Sequence, residues 1–302
     1  MMKAMASLYT HQAANVRKTW LLMAFFLVLV IAIGYAAGWY LNEPGLIYIA
    51  VAFSLLMNIT AYWFSDKVAL ASTGSHEADP NEFRELHRIV ENLAITAGLP
   101  KPRVFVMQDD APNAFAAGRN ATHAVISVTT GLLQRLDRTE LEGVIAHELA
   151  HIGNRDILVM TVAVVLAGFV AMLADIFLRM SFFGGGNNRD NRGNALFAIL
   201  AVVGIILAPI AAQLIQLAIS RRREFLADAS GALLTRYPDG LASALQKISA
   251  YNAPMQRASH ATAHLFISNP FGGHDMGKFV AGLFATHPPA EARIKALTEM
   301  RI

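Results

Sequence analysis

The 302-residue chain contains no cysteine, which excludes a disulfide framework, a thiolate zinc ribbon and a thiol nucleophile. Any metal site must therefore be built from His, Asp or Glu. Charge is scarce as well: charged residues make up 16% against 55% hydrophobic ones, too apolar a balance for an ordinary soluble protein. The formal net charge is only +3. Basic residues are not gathered into long runs with interleaved aromatics, which argues against nucleic acid as a partner.

In place of charge there are long apolar runs. Residues 1–19 carry Lys3, Arg17 and Lys18 and no acid, and residues 20–40 carry no charge at all, a run long enough to cross a bilayer as a helix. After a tight turn at residues 41–44, residues 45–64 are again uncharged, with Trp20, Trp39, Tyr40, Tyr62 and Trp63 near the ends, where a membrane interface favours aromatics. Length and the second run argue against a cleaved signal peptide. The basic tail predicts a cytoplasmic N-terminus, to which two spans return the chain. Residues 157–174 and 195–219 form two further uncharged runs, separated by a loop rich in Gly and Asn and ended by Arg221, Arg222 and Arg223. They read as third and fourth spans, with long helices packed in protein as the alternative. In that region Asp175 is expected to pair with Arg179 one turn on.

Between the two pairs of runs the sequence reads as part of a soluble domain. Residues 82–96 have helical periodicity, ended by Gly98, and residues 104–107 and 124–128 read as strands of a small sheet. The stretch 111–116 reads as a turn with an exposed aromatic at Phe115, and Asn113 in it either stabilises that turn or holds a substrate backbone through its amide. Residues 125–128 are a candidate edge strand on which an extended substrate pairs.

The chemistry is concentrated in residues 143–151, Gly-Val-Ile-Ala-His-Glu-Leu-Ala-His. On a helix, His147 and His151 project from one face a turn apart, so both imidazoles can reach one ion, and Glu148 is the obvious base. Leu141, Val144, Ile145, Leu149 and Ile152 give the helix an apolar stripe, and Thr139 with Glu142 reads as its capping box. Two imidazoles, a carboxylate and an open position suit zinc, which lowers the pKa of a bound water to roughly 7. A histidine-rich third-ligand pattern would need glycine at 154 and histidine at 157, where the chain has Asn154 and Ile157. The third ligand is therefore expected to be a distant carboxylate. If the helices either side of the Gly and Asn loop run antiparallel with its centre at 187–188, His151 and Glu224 reach the same level. Asp228, four residues on, lies on the same face and could accept a hydrogen bond from the free nitrogen of a ligating histidine.

The last quarter continues with helical spacing over residues 231–251, where Pro238 starts a new helix, and with a loop or flap over residues 255–278. His260, His264 and His274 have no partner at ligand spacing and read as surface histidines. Residues 288–289, Pro-Pro, fix the backbone before a final helix from Ala290 that carries Arg293.

Residues 147–151, the Arg-Glu-Phe-Leu-Ala-Asp run at 223–228 and Thr-His-Pro-Pro at 286–289 together resemble the HtpX family of bacterial heat-shock membrane proteases, relatives of the eukaryotic CAAX prenyl proteases. The likeness extends over essentially the whole chain. It implies a multi-pass protein of the cytoplasmic (inner) membrane with its catalytic domain facing the cytoplasm. The expected fold class is mainly α with a small β-sheet, four transmembrane helices and a zincin-like (gluzincin) metalloprotease domain. The expected division is a tail and transmembrane hairpin (1–64), the first half of the protease domain (65–156), a second hydrophobic hairpin (157–219) and the second half (220–302). The resemblance further implies Zn2+ held by His147, His151 and Glu224, Glu148 as general base, Asp228 orienting a ligand, and His287 and Arg293 stabilising an oxyanion near the metal. It also strengthens Asn113 as a substrate contact. Misfolded or damaged membrane proteins are the expected substrates, with the lipid bilayer and other quality-control proteases as partners. Site-specific processing of the CAAX type, and a non-enzymatic adaptor or transporter with a structural metal, are alternatives.

Overall fold

A computed structural model describes residues 2–183, 202–207, 209–210, 221–259, 262–272 and 288–300. The first two apolar runs form helices α1 (Met2–Leu41) and α2 (Leu46–Trp63). The turn between them is made at Asn42, whose φ of 58° lies in the left-handed region that asparagine tolerates. The basic N-terminal tail is not a separate element; it is the helical continuation of α1. Among the described residues, three stretches are long and apolar enough to cross a membrane: Gln12–Leu41, Leu46–Trp63 and Asp156–Arg179. They differ in surroundings, since 22% of each of the first two apolar windows is buried in protein but 72% of the third. The third stretch, expected as a span, is thus long and apolar enough for one and also packs largely against α1 and α2. The fourth apolar run falls for the most part outside the described residues. The Asp175–Arg179 pair forms as expected, at 2.7 Å.

After α3 (Ser65–Thr73) comes α4 (Arg84–Ala97), closed by Gly98 in the left-handed conformation. The sheet has four strands, β1 (His76–Glu77), β2 (Arg103–Met107), β3 (Ala114–Ala117) and β4 (Val125–Thr129), in the order β1-β2-β4-β3. β2 and β4 are parallel, and both outer strands are antiparallel to their neighbours. Two expectations are corrected here. Residues 111–116 were expected to turn with Phe115 exposed, but Ala114–Ala117 is a strand and Phe115 is fully buried, edge-on to Phe266 at 5.6 Å. The strand at 125–128 has a partner on each side, so the edge near the metal helix is β3.

The sheet is buried on both faces, which is why its strands read as apolar runs. Phe105, Met107, Phe115 and Val125 face the cluster shared with α1 and α2, while Val104, Val106, Ile126 and Val128 face the cluster around the helix that carries His147 and His151. That helix, α6 (Arg138–Gly153), follows the short α5 (Thr130–Arg135). Its capping box is Asp137 with Glu140, two residues earlier than expected. The side chain of Asp137 accepts from Glu140 N at 3.0 Å and that of Glu140 from Asp137 N at 2.8 Å.

α6 does not run into the next helix. It stops at Gly153, Arg155 takes a φ of 56°, and α7 (Asp156–Phe183) begins on a new axis. Downstream lie α8 (Arg221–Thr235), α9 (Pro238–Ser249) and α10 (Ala290–Thr298). α8 and α9 both pack on α6, and glycine makes each approach possible. A β-carbon on Gly231 would lie 2.9 Å from the backbone N of His147, and one on Gly143 would lie 2.7 Å from that of Leu241.

Candidate metal centre

α6 presents His147 and His151 on the face covered by α8, and Glu224 sits in the first turn of α8. All three are buried, and one ligand atom from each falls within a 4.8 Å cluster. The two Nε2 atoms are 3.2 Å apart, and the Glu224 carboxylate stands 3.8 Å from His147 Nε2 and 3.6 Å from His151 Nε2. The arrangement therefore offers two imidazole nitrogens and one carboxylate oxygen to a single point.

The outer nitrogens explain why the inner ones face each other. His147 Nδ1 lies 2.9 Å from Asp228 Oδ1, and His151 Nδ1 lies 3.0 Å from Asp156 Oδ2. A carboxylate accepting the Nδ1 proton fixes the tautomer that leaves Nε2 as a lone-pair donor. This donor set fits a zinc ion: two imidazoles, each oriented by a carboxylate behind it, and the carboxylate of Glu224. Asp228 thus meets the ring nitrogen of His147 that is turned away from Glu224.

Asp156 was not anticipated as a partner of His151. The signal was present: Gly153-Asn154 is a helix stop, and an aspartate heading the next apolar run is a helix start. Asp156 is in turn held from the membrane hairpin. Asn15 of α1 donates through Nδ2 to Asp156 Oδ1 at 2.7 Å and to Asn154 O at 3.2 Å, and its Oδ1 accepts from Arg223 Nη1 at 3.2 Å. Gln12 donates to Gly153 O at 2.7 Å. Arg223, the last of the three arginines that end the fourth apolar run, is buried here beside Asp156.

Arg293, expected to lie near the metal as an oxyanion donor, is buried at 2% exposure. Its fork engages Asp228 through Nε at 2.8 Å and Nη2 at 2.6 Å, and Nη1 donates to Ile267 O at 3.0 Å. Nη1 is 3.9 Å from Glu224. His287 lies outside the described residues, as do His260 and His274. His264, read as a surface histidine, is buried, with Nε2 3.4 Å from Met160 O.

Glu148 is buried beside the pair of histidines. Burial, reinforced by the Glu224 charge, pushes its carboxyl up to about 7. The histidines diverge. Burial and the Arg293 charge bring His147 down to about 4, whereas for His151 the Asp156 bond and the Glu224 charge overcome burial and lift it to about 9. Asp228 is held below its ordinary value: burial alone would raise it, and the Arg293 bond reverses the sign.

The edge of β3 is already in use by the chain itself. Ala114 O accepts from Ile267 N at 2.9 Å, and Asn113 pairs with the Ser268 backbone, donating to its O at 3.1 Å and accepting from its N at 3.3 Å. Residues 262–267, within the expected flap, are therefore buried rather than standing clear of the site.

Comparison with known proteins matches residues 80–301 to Peptidase family M48. The chain is similar to "Protease HtpX homolog" of Caldanaerobacter subterraneus subsp. tengcongensis, at 52% identity over 98% of this chain and 99% of that protein. It is 50% identical to "Protease HtpX homolog" of Pyrococcus furiosus, over 94% of this chain and 95% of that protein. Among solved structures, Ste24p of S. mikatae aligns at 18% identity with a TM-score of 0.49, covering 97% of this chain and 67% of that one.

Proposed function

Because this chain belongs to peptidase family M48 and is a membrane-bound metalloprotease, we propose that it is a zinc endopeptidase whose metal is held by His147, His151 and Glu224. The observation that carries this reading is the convergence of those three buried side chains, each imidazole backed by its own carboxylate. A zinc ion bound there supplies Lewis acidity, acidifying a water and polarising a scissile carbonyl.

The remaining work belongs to the chain. Glu148 takes the proton of the attacking water and returns it to the leaving amine, a shuttle suited to a carboxyl poised near neutral pH. Asp228 and Asp156 keep the two Nε2 lone pairs pointed inward, and Arg293 holds Asp228. The oxyanion donors in this proposal are His287 and the Nη1 group of Arg293. An extended substrate adds to the edge of β3, where Ala114 O and the Asn113 amide would take it in place of residues 267–268. Pairing through backbone favours unfolded segments, which supports quality control of misfolded or damaged membrane proteins. The fold would be zincin-like, and the protein would be a multi-pass one of the bacterial inner membrane with its catalytic domain in the cytoplasm.

The test is a pair of variants assayed together for cleavage of an unfolded reporter and for zinc content. Glu148→Gln retains zinc and loses activity by a factor of 10² or more, on the order expected for a general base. Glu224→Ala loses both. Full zinc occupancy in Glu224→Ala removes it as a ligand, and an active Glu148→Gln removes the proposed base.

A further inference from the structure

One group of side chains is used by neither the metal site nor the core. Where α2 ends, a cleft of about 440 Å³ opens, walled by Trp63, Lys67, Arg103, Arg119 and His123. Its floor reaches Tyr62 and Ile59, one turn back into the apolar stretch of α2. The cleft is therefore hydrocarbon at the end that lies within the span and cationic at the end that emerges from it.

The cationic end is assembled from three separate parts of the fold: α3, the start of β2 and the loop between β3 and β4. Arg103 is paired with Asp66 at 2.8 Å. Among the described residues, Lys67 and Arg119 have no carboxylate partner, so the cleft keeps net positive charge. Arg119 is pre-organised. Its guanidinium lies 4.4 Å from the centre of the Trp63 ring, Nη1 donates to Trp63 O at 3.4 Å, and Nη2 donates to His123 Nε2 at 2.7 Å. His123 is braced in turn by its Nδ1, 2.8 Å from Asn120 Oδ1. Lys67 stands exposed at the rim, with Nζ 5.3 Å from the centre of the Phe64 ring.

We propose that this cleft binds the headgroup phosphate of an anionic glycerophospholipid in the leaflet beside the protease domain. Arg119 and Lys67 would take the phosphate, and the glycerol and first acyl carbons would run along Tyr62 and Ile59. Basic residues near a span are attracted to anionic leaflets in any case. Three features go beyond that general attraction: the concave shape, the fixed guanidinium and the apolar floor continuous with a membrane helix. A free phosphate or an acidic peptide would use the rim and leave the floor uncovered.

The test titrates purified full-length protein in neutral detergent with phosphatidylglycerol, with phosphatidylcholine of the same chains, and with inorganic phosphate, reading retained lipid by native mass spectrometry. Wild type holds phosphatidylglycerol in clear preference to phosphatidylcholine, and equimolar inorganic phosphate does not displace it. Lys67→Gln weakens retention about fivefold and Lys67→Gln/Arg119→Gln about twentyfold, each basic residue acting at the membrane surface. Lys67 makes no hydrogen bond among the described residues, so the single variant decides the matter even where the double variant does not fold. Equal retention by wild type and Lys67→Gln, or equal retention of the two lipids, overturns the proposal. Displacement by equimolar phosphate overturns the lipid and leaves a plain anion site.

Discussion

The two histidines of the proposed metal centre are supported from two sides, and by unlike means. On the protease side, Asp228 behind His147 is clasped by the fork of Arg293, a bidentate charge-assisted pair at 2.6 and 2.8 Å. On the membrane side, Asp156 behind His151 is held by the neutral amide of Asn15 at 2.7 Å, with the nearest arginine, Arg223, at 3.8 Å. The first side is saturated. The second leaves Arg223 Nη2 and Asn154 Nδ2 buried without a hydrogen-bond partner among the described residues. α6 is thus gripped tightly through α8 and α10 and more loosely through residues of α1 that lie before its apolar run.

The strongest way to break this comparison is to unclasp the protease side. Arg293→Leu leaves the Asp228 carboxylate buried and uncompensated, and is expected to destabilise the protein by about 3–5 kcal/mol. Arg293→Leu/Asp228→Leu should regain most of that, because an apolar pair replaces a buried ionic one at little cost. Zinc affinity should nevertheless stay depressed in the double variant, since His147 has lost its orienting carboxylate. Denaturant unfolding and chelator competition read the two effects separately. A single variant as stable as wild type would show that the pair is not buried as described.

On the membrane side the effects should be smaller and fall on the metal before the fold. Asp156→Asn is expected to cost about 10–100-fold in zinc affinity, the range for a group orienting a ligand. Asn15→Leu removes one amide contact from Asp156, and about 1 kcal/mol, or some fivefold in affinity, is expected. Asn15→Asp should be worse than Asn15→Leu, since it sets a second carboxylate against Asp156. If Asn15→Leu and wild type hold zinc equally, α1 anchors the helix without tuning the site, and the two sides are not comparable supports.

The contrast also shows what sequence could disclose. His147, Glu148 and His151 were legible because their geometry is local, set by the pitch of one helix. Glu224 and Asp228 were legible once α8 was placed beside α6, since both lie on one helix four residues apart. Asp156 was missed because a continuous helix would have carried it around to another face; the break at Arg155, with φ of 56°, brings it back under His151. β3 was missed because Ala-Phe-Ala-Ala carries none of the β-branched residues that mark strands, its place being set by burial on both faces. Asn15 could not be found at all. Its role depends on the register of α1 against the α6–α7 turn, a tertiary fact with no local trace.

The far end of α6 sharpens the comparison, because it is held by protease-domain groups alone. Glu140 closes the capping box and also accepts from Ser243 Oγ and Lys247 Nζ of α9, each at 2.6 Å. Burial would raise its carboxyl, but the Lys247, Ser243 and Asp137 hydrogen bonds more than offset this and hold it below the ordinary 4.5. A carboxyl depressed in the folded state contributes stability that is fully present above the unfolded value and is lost as pH falls through the folded one. Unfolding followed from pH 6 down to pH 3 should therefore show wild type losing stability faster than Glu140→Gln below about pH 4.5, where the carboxylate protonates. At pH 6 the variant should be less stable by about 1 kcal/mol, a modest figure because Lys247 is half-exposed. Zinc affinity should not change, since Glu140 touches neither histidine nor its carboxylate. If the pH curves of the two proteins run parallel, Glu140 is not the group that titrates, and the grip on this end of α6 must come from packing.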